Sequence, residues 1–238
     1  VKAKFLSALA MTAVLVLGCA KTNSDNIKTS GFYAEYTVAV DATTNTVAKC
    51  SASFRVEAGG TFIDLSANDT VTCNGQSMAR SEIAGIVTYS TNLTATVGGT
   101  YTVVLTRSGE SPYSASVTLP AAVVTSAPAS NGSFSKGAPL SLAWTVSSNA
   151  ADAIVVTTSR VTTDSTKCPN NALYANPAPE AGIGSFTAMD MALPTATGTA
   201  GTCNMNVNWQ RQRLGTMPSG LNGSIYGIQS SSVPIILN

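Results

Sequence analysis

The chain has no histidine. That removes the Ser-His-Asp and Cys-His nucleophile systems and the commonest zinc sites. Charge is scarce as well. Only 11% of residues are charged, and the formal net charge is +1. No basic field exists to attract nucleic acid. Aromatics make up 6%. GxSxG, P-loop and GxGxxG motifs are missing, and so is any CxxC pair that would suggest a metal site built from four cysteines. After residue 20 no apolar stripe of helical period and useful length occurs; "QSMARSEIA" (76–84) is the best candidate for one short helix. These absences predict a protein without metal or cofactor and without nucleic-acid partners.

What remains is rich in Thr, Ser, Ala, Val, Gly and Asn. Such a composition suits an extracytoplasmic all-β protein. Strict alternation supports it. In "FYAEYTVAV", Phe32, Ala34, Tyr36, Val38 and Val40 share one face, and Tyr33, Glu35 and Thr37 take the other. In "VAKCSASFRVE", Ala48, Cys50, Ala52, Phe54 and Val56 oppose Lys49, Ser51, Ser53, Arg55 and Glu57. Further strands are expected at 85–91, 100–107 and 113–119. "LPAAVVTSAPASNGS" breaks the pattern with Pro120 and Pro128. Alternation resumes with Leu140, Leu142, Trp144 and Val146, then at 153–159. It continues through Cys203, Met205, Val207 and Trp209, and "SIYGIQ" and "VPIIL" close the chain. Short strands with turns every 8–12 residues predict two consecutive β-sandwich domains, 31–120 and 128–238, joined by a linker at 121–127.

The N-terminus has its own layout. Lys2 and Lys4 precede an apolar run from Phe5 to Leu17, which ends in Val16-Leu17-Gly18-Cys19. The run is too short to span a bilayer, which takes about 20 apolar residues. It has the parts of a secretory signal. This end resembles the signal of bacterial lipoproteins, whose lipobox closes on the Cys that becomes lipidated. The resemblance implies a signal peptide at 1–18, lipid on Cys19 and a cell-envelope address. It covers only the first 20 or so residues, and Val16 stands where Leu is usual. Ala20 follows the Cys; in Gram-negative lipoproteins an Asp there tends to hold the protein at the inner membrane, so the outer membrane is favoured. Polar "AKTNSDNIKTS" then reads as a flexible tether, giving 19–30 as lipidated Cys plus tether. Two of the 13 basic residues fall in 1–18, so against 12 acidic residues the mature chain carries a formal net charge of −1.

Setting Cys19 aside leaves Cys50, Cys73, Cys168 and Cys203. An even count in an oxidising compartment reads as two disulfides. Three connectivities are open; a domain join between the two pairs favours Cys50–Cys73 with Cys168–Cys203. The Pro/Gly join followed by "PLSLAWTV" resembles the Ig-like or fibronectin-type modules of bacterial surface proteins. A Trp on an inward strand near a disulfide fits that likeness. The spacing of Cys168 and Cys203 across a long segment departs from the Ig pattern.

Paired carboxylates are the one catalytic system left open. Asp64 with Asp69, and Asp152 with Asp164, are the candidate pairs. Against them stands the expectation that all 12 carboxylates are solvated turn or edge residues, and that Arg211 and Arg213 of "QRQR" sit on a solvated edge. The segment between Cys168 and Cys203 carries Leu173, Tyr174, Ile183, Phe186, Met189 and Met191. It is too apolar for an inert linker. Either these side chains pack back as a further strand, or Tyr174, Ile183, Phe186, Met189 and Met191 stay exposed as a contact patch. The sum of these readings is a non-catalytic, membrane-tethered envelope module that binds or spaces an envelope protein or glycan. A carboxylate hydrolase and an assembly subunit without a ligand of its own are the alternatives.

Overall fold

A computed structural model of the chain describes residues 21–40, 46–161, 168–176, 179–187, 189–192 and 201–238. Residues 1–18, expected as a signal peptide, lie outside the described residues, as do Cys19 and Asp164. In the first half the strands are β1 (Lys21–Asn23), β2 (Phe32–Val40), β3 (Val47–Val56), β4 (Phe62–Asp64) and β5 (Thr70–Cys73). They continue with β6 (Gln76–Ser77), β7 (Ala79–Ile83), β8 (Ile86–Thr94), β9 (Thr100–Thr106) and β10 (Tyr113–Thr118). The second half has β11 (Thr125–Ala127), β12 (Gly132–Phe134), β13 (Leu140–Trp144) and β14 (Ala153–Arg160). After them come β15 (Leu173–Asn176), β16 (Ile183–Phe186), β17 (Cys203–Leu214) and β18 (Asn222–Leu237). Among the described residues there is no α-helix, only two 3-10 turns.

Burial follows the alternation. The predicted inward set of β2, Phe32 to Val40, is buried, and so are Ala48, Cys50, Ala52 and Phe54 of β3. An eleven-stranded sheet runs through both halves in the order β1-β4-β3-β2-β18-β17-β14-β15. β8 adds to β3, β7 to β8, and β12 to β18. The second layer is split. A four-stranded sheet, β10-β9-β5-β6, closes one core, and a three-stranded sheet, β11-β13-β16, closes the other. The first core centres on Phe54, whose ring meets Phe32, Tyr36 and Tyr89 at centroid distances of 6.0, 5.8 and 5.8 Å. Tilted and edge contacts of this kind add to the area the rings remove from water. The second core packs Trp144 and Trp209 with Ile154, Val156, Met205 and Phe186.

Each half carries one disulfide between buried cysteines. Cys50 of β3 joins Cys73 of β5 across the two layers, with Cα atoms 6.5 Å apart. Cys168 joins Cys203 of β17 at 5.2 Å. Closing loops of these lengths contributes about 3–4 kcal/mol each in the chain-entropy view.

Four expectations are corrected. The stretch 76–84 is not a helix but strands β6 and β7. Asn74-Gly75, both at positive φ, make a two-residue hairpin between Cys73 and Gln76, and Ala84-Gly85 make a second between Ile83 and Ile86. Paired turns so close together leave no room for helical hydrogen bonds. Residues 21–30 are not a loose tether. β1 pairs in parallel with β4, and Ser24 and Thr29 are buried. The Arg107 guanidinium donates to Ser24 O at 2.7 Å, Ile27 O at 3.0 Å and Thr29 Oγ1 at 2.7 Å, strapping the segment down. Residues 121–127 are not a free linker. Val123 is buried in the second core, and Thr125–Ala127 is β11. Last, "SIYGIQ" and "VPIIL" are one strand, β18. Its start supplies Ile225 to the first core, together with the preceding Leu221, and its end supplies Val233, Ile235 and Leu237 to the second. The residues from 128 onward therefore serve both cores.

Candidate functional site

The outer face of the large sheet over the first core is built by cross-strand pairing. β18 runs parallel to β2 and sets Ser224 against Glu35 and Tyr226 against Thr37. β2 runs antiparallel to β3 and sets Glu35 against Ser53 and Thr37 against Ser51. Two rows result, Ser224–Glu35–Ser53 and Tyr226–Thr37–Ser51, the second continued by Ser90 of β8. Because the side-chain period is two, every one of these residues points away from the core. All of them but Ser90 line a shallow groove of about 310 Å³, together with Thr88. Tyr226 leaves 37% of its surface in water at the groove's border, and Leu214 of β17 is its cross-strand neighbour. Ser53 Oγ donates to Glu35 Oε2 at 3.3 Å, and Arg55 lies 3.5 Å from the same oxygen. A second depression of about 530 Å³ lies at one end of this sandwich, between Phe32, Tyr33, Glu57 and Asn222.

Asp64 and Asp69, one of the two candidate carboxylate pairs, each turn to an arginine and not to each other. Asp64 is gripped by Arg80, with Nε and Nη2 each 2.7 Å from a carboxylate oxygen, and has Lys21 at 3.6 Å. Asp69 accepts from Ser24 Oγ at 2.6 Å and from Arg107 Nε at 3.2 Å. Asp152 is fully buried and binds Arg213 at 2.6 and 2.9 Å. Its proposed partner Asp164 lies outside the described residues. Glu180 is buried against Arg211. The expectation of uniformly solvated carboxylates, and of Arg211 and Arg213 on a solvated edge, is thus overturned. Continuing the inward set of β17 two residues past Trp209 reaches Arg211, which is 1% exposed. That signal was in the alternation. Among the described residues no group of three His, Cys, Asp or Glu side chains could hold a metal ion.

Asp64 and Glu110 make stability depend on pH. Hydrogen bonds from Arg80 hold the Asp64 carboxyl below the usual carboxylate range, and one from Thr29 does the same for Glu110. A lowered folded value means that the contribution is complete above the unfolded value of about 4 and is lost as pH falls through the lowered one. The melting temperature is therefore expected to stay level from about pH 7 to 5 and to drop below about pH 4. A midpoint unchanged down to about pH 2 would show that these bonds do not form.

The five residues named as a candidate contact patch do not form one exposed patch. Phe186 and Met191 are core residues, each 1% exposed. Tyr174 is half-buried at the sandwich edge, edge-on to Trp144 at 6.3 Å, with its hydroxyl donating to Ile183 O at 3.2 Å. Ile183 and Met189 are exposed. Leu173, also exposed, belongs to β15 of the large sheet, whereas Ile183 belongs to β16 of the small one. Among its described residues the segment carries β15 and β16, and its apolar residues divide between the core and two different sheets.

No protein-family model matches the chain, and no curated protein does. Solved structures give distant likenesses. A cytokine receptor complex is 10% identical, with 83% of this chain and 94% of that chain covered and a TM-score of 0.27. The FN1-FN3 domains of chicken CNTN1 are 9% identical, at 81% and 61% coverage and a TM-score of 0.27. SGBP-B of the Bacteroides ovatus mixed-linkage glucan utilization locus, in complex with a mixed-linkage heptasaccharide, is 11% identical, at 87% and 60% coverage and a TM-score of 0.20. This chain spans about three fifths of the length of the last two. The chain itself is an all-β protein whose sheets pack as sandwiches.

Proposed function

We propose that the chain is a non-catalytic binding or spacer module of a bacterial cell envelope, held at the membrane through lipid on Cys19. The outer membrane is the favoured site. An envelope glycan or protein is the partner, and nucleic acid is not. The carrying observation is the commitment of four acidic side chains, two of them buried. Asp64, Asp69, Asp152 and Glu180 each face an arginine and not one another. A glycosidase needs two carboxyl groups flanking one bond, with the pair free to exchange protons. Carboxylates locked to arginine, bidentate at Asp64, Asp152 and Glu180, lack that freedom.

The membrane half of the reading rests on Lys2, Lys4, the apolar run and Gly18-Cys19. One lipid signal binds a membrane only marginally, and multiple acylation makes the anchor stable. In bacterial cells the wild-type chain is expected in the membrane fraction and the Cys19→Ser variant in the soluble fraction. Equal partition of the two, or an uncleaved and unmodified N-terminus by mass spectrometry, would remove the anchor from the proposal.

A further inference from the structure

We propose that the groove on the outer face of β18, β2, β3 and β8 binds a neutral oligosaccharide chain. This deepens the binding reading above and rests on it. The lining chemistry points to a sugar. Thr37, Ser51, Ser53 and Ser224 present hydroxyls, each able to donate and accept. Glu35 adds a carboxylate, 42% exposed at its side chain; Oε2 accepts from Ser53 and faces Arg55, and Oε1 is the oxygen that accepts from a sugar hydroxyl. Tyr226 stands at the border as an exposed ring, with Leu214 beside it in register. An amphipathic ring is the group that meets the C–H face of a pyranose while its hydroxyl stays wet. Hydroxyl rows flanked by one aromatic ring match the alternation of edge hydroxyls and apolar faces along a glycan.

The same face is unsuited to the other partner classes. A peptide adding as a strand needs a free edge. β2 is paired on both sides along this face, β18 from Tyr226 onward and β3 up to Ala52. A docked helix needs large aliphatic side chains along its groove, and none lines this one. A phosphate or polyanion needs clustered arginines, and Arg55, the arginine beside the groove, is held by Glu35.

The test uses the full chain carrying Cys19→Ser, titrated calorimetrically with cellohexaose, xylohexaose, mannohexaose and, as the charged counterpart, hexagalacturonate. Saturable binding of at least one neutral hexaose is expected. Tyr226→Ala and Glu35→Gln should each weaken it by about tenfold or more. Both side chains are exposed, so the melting temperature should stay within about 2 °C. Leu173→Ser, on the outer face over the second core, should leave binding unchanged. The proposal fails if none of the neutral hexaoses binds up to about 10 mM, if hexagalacturonate alone binds, or if Tyr226→Ala and Glu35→Gln bind as the parent does. Such a failure with membrane partition intact would leave an anchored module with another partner. Loss of the anchor with groove binding intact would leave a soluble glycan binder.

Discussion

Replacing Arg211 with methionine is expected to destabilise the protein by about 3–5 kcal/mol, the range seen when one partner of a buried ion pair is removed. Arg211 is fully buried and uses its whole guanidinium. Nε and Nη2 reach the Glu180 oxygens at 2.6 and 2.9 Å. Nη1 donates to the carbonyls of Ala121 and Ala122 at 3.1 and 2.9 Å, and Nη2 to that of Thr145 at 2.5 Å. One side chain therefore ties the connection between the halves, β13's exit and Glu180 together. Without it, Glu180 keeps Trp144 Nε1 at 3.2 Å and the Ser147 amide at 3.3 Å, which cannot neutralise a desolvated carboxylate. Arg211→Met with Glu180→Leu should lose less than Arg211→Met alone, because the stranded charge is gone. Urea unfolding followed by tryptophan fluorescence reads the effect where it occurs. The chain's two tryptophans, Trp144 and Trp209, both lie in the second core. A single variant within about 1 kcal/mol of the parent, or a double variant worse than the single, would refute the account.

Alternation is a local property, and the strands it marks are the ones the sequence reading places well. Phe32 to Val40, Ala48 to Phe54 and Cys203 to Trp209 show their inward faces without reference to any partner. The pairings of those strands are not local. β18 meets β2 in parallel although almost the whole chain separates them, so nothing near Ser224 or Tyr226 marks them as neighbours of Glu35 and Thr37. Half of the groove was legible as the outward residues of β2 and β3; the half from β18 was not. Nor was the unity of β18. Ser230, Ser231, Ser232 and Pro234 look like a break, yet the ladder with β17 continues through all four. The strap at 21–30 has the composition of a solvated tether, and its order comes from Arg107, far along the chain. Leu173 and Ile183 are close in sequence and join different sheets because β15 pairs β14 while β16 pairs β13. Composition reports what a segment can afford to expose, whereas its partners decide what it does expose.

Gly223→Ala is the second substitution with a large expected effect, and it tests whether β18 couples the two cores. Gly223 has φ of +135°, a region that L side chains rarely adopt. It sits opposite Ala34 in the parallel β18–β2 pairing. A Cβ there would lie 1.9 Å from the Ala34 carbonyl oxygen and 2.7 Å from its N and C atoms. The obstacle is backbone, so no rotamer relieves it. β18 must leave β2, or both must shift. Strain and overpacking together cost roughly 2–6 kcal/mol. The damage begins in the first core, next to Ala34 and Ile225, which holds neither tryptophan. β18 nevertheless runs unbroken from Asn222 to Leu237, and its far end carries Val233, Ile235 and Leu237 into the second core. One strand shared by two cores makes their unfolding cooperative. The tryptophan-monitored melting transition is therefore expected to fall together with the transition seen by far-ultraviolet circular dichroism. If the dichroism midpoint falls while the tryptophan midpoint stays, the halves unfold independently and β18 does not couple them. If neither moves, the parallel register that sets Gly223 on Ala34, and with it Tyr226 on Thr37, is wrong.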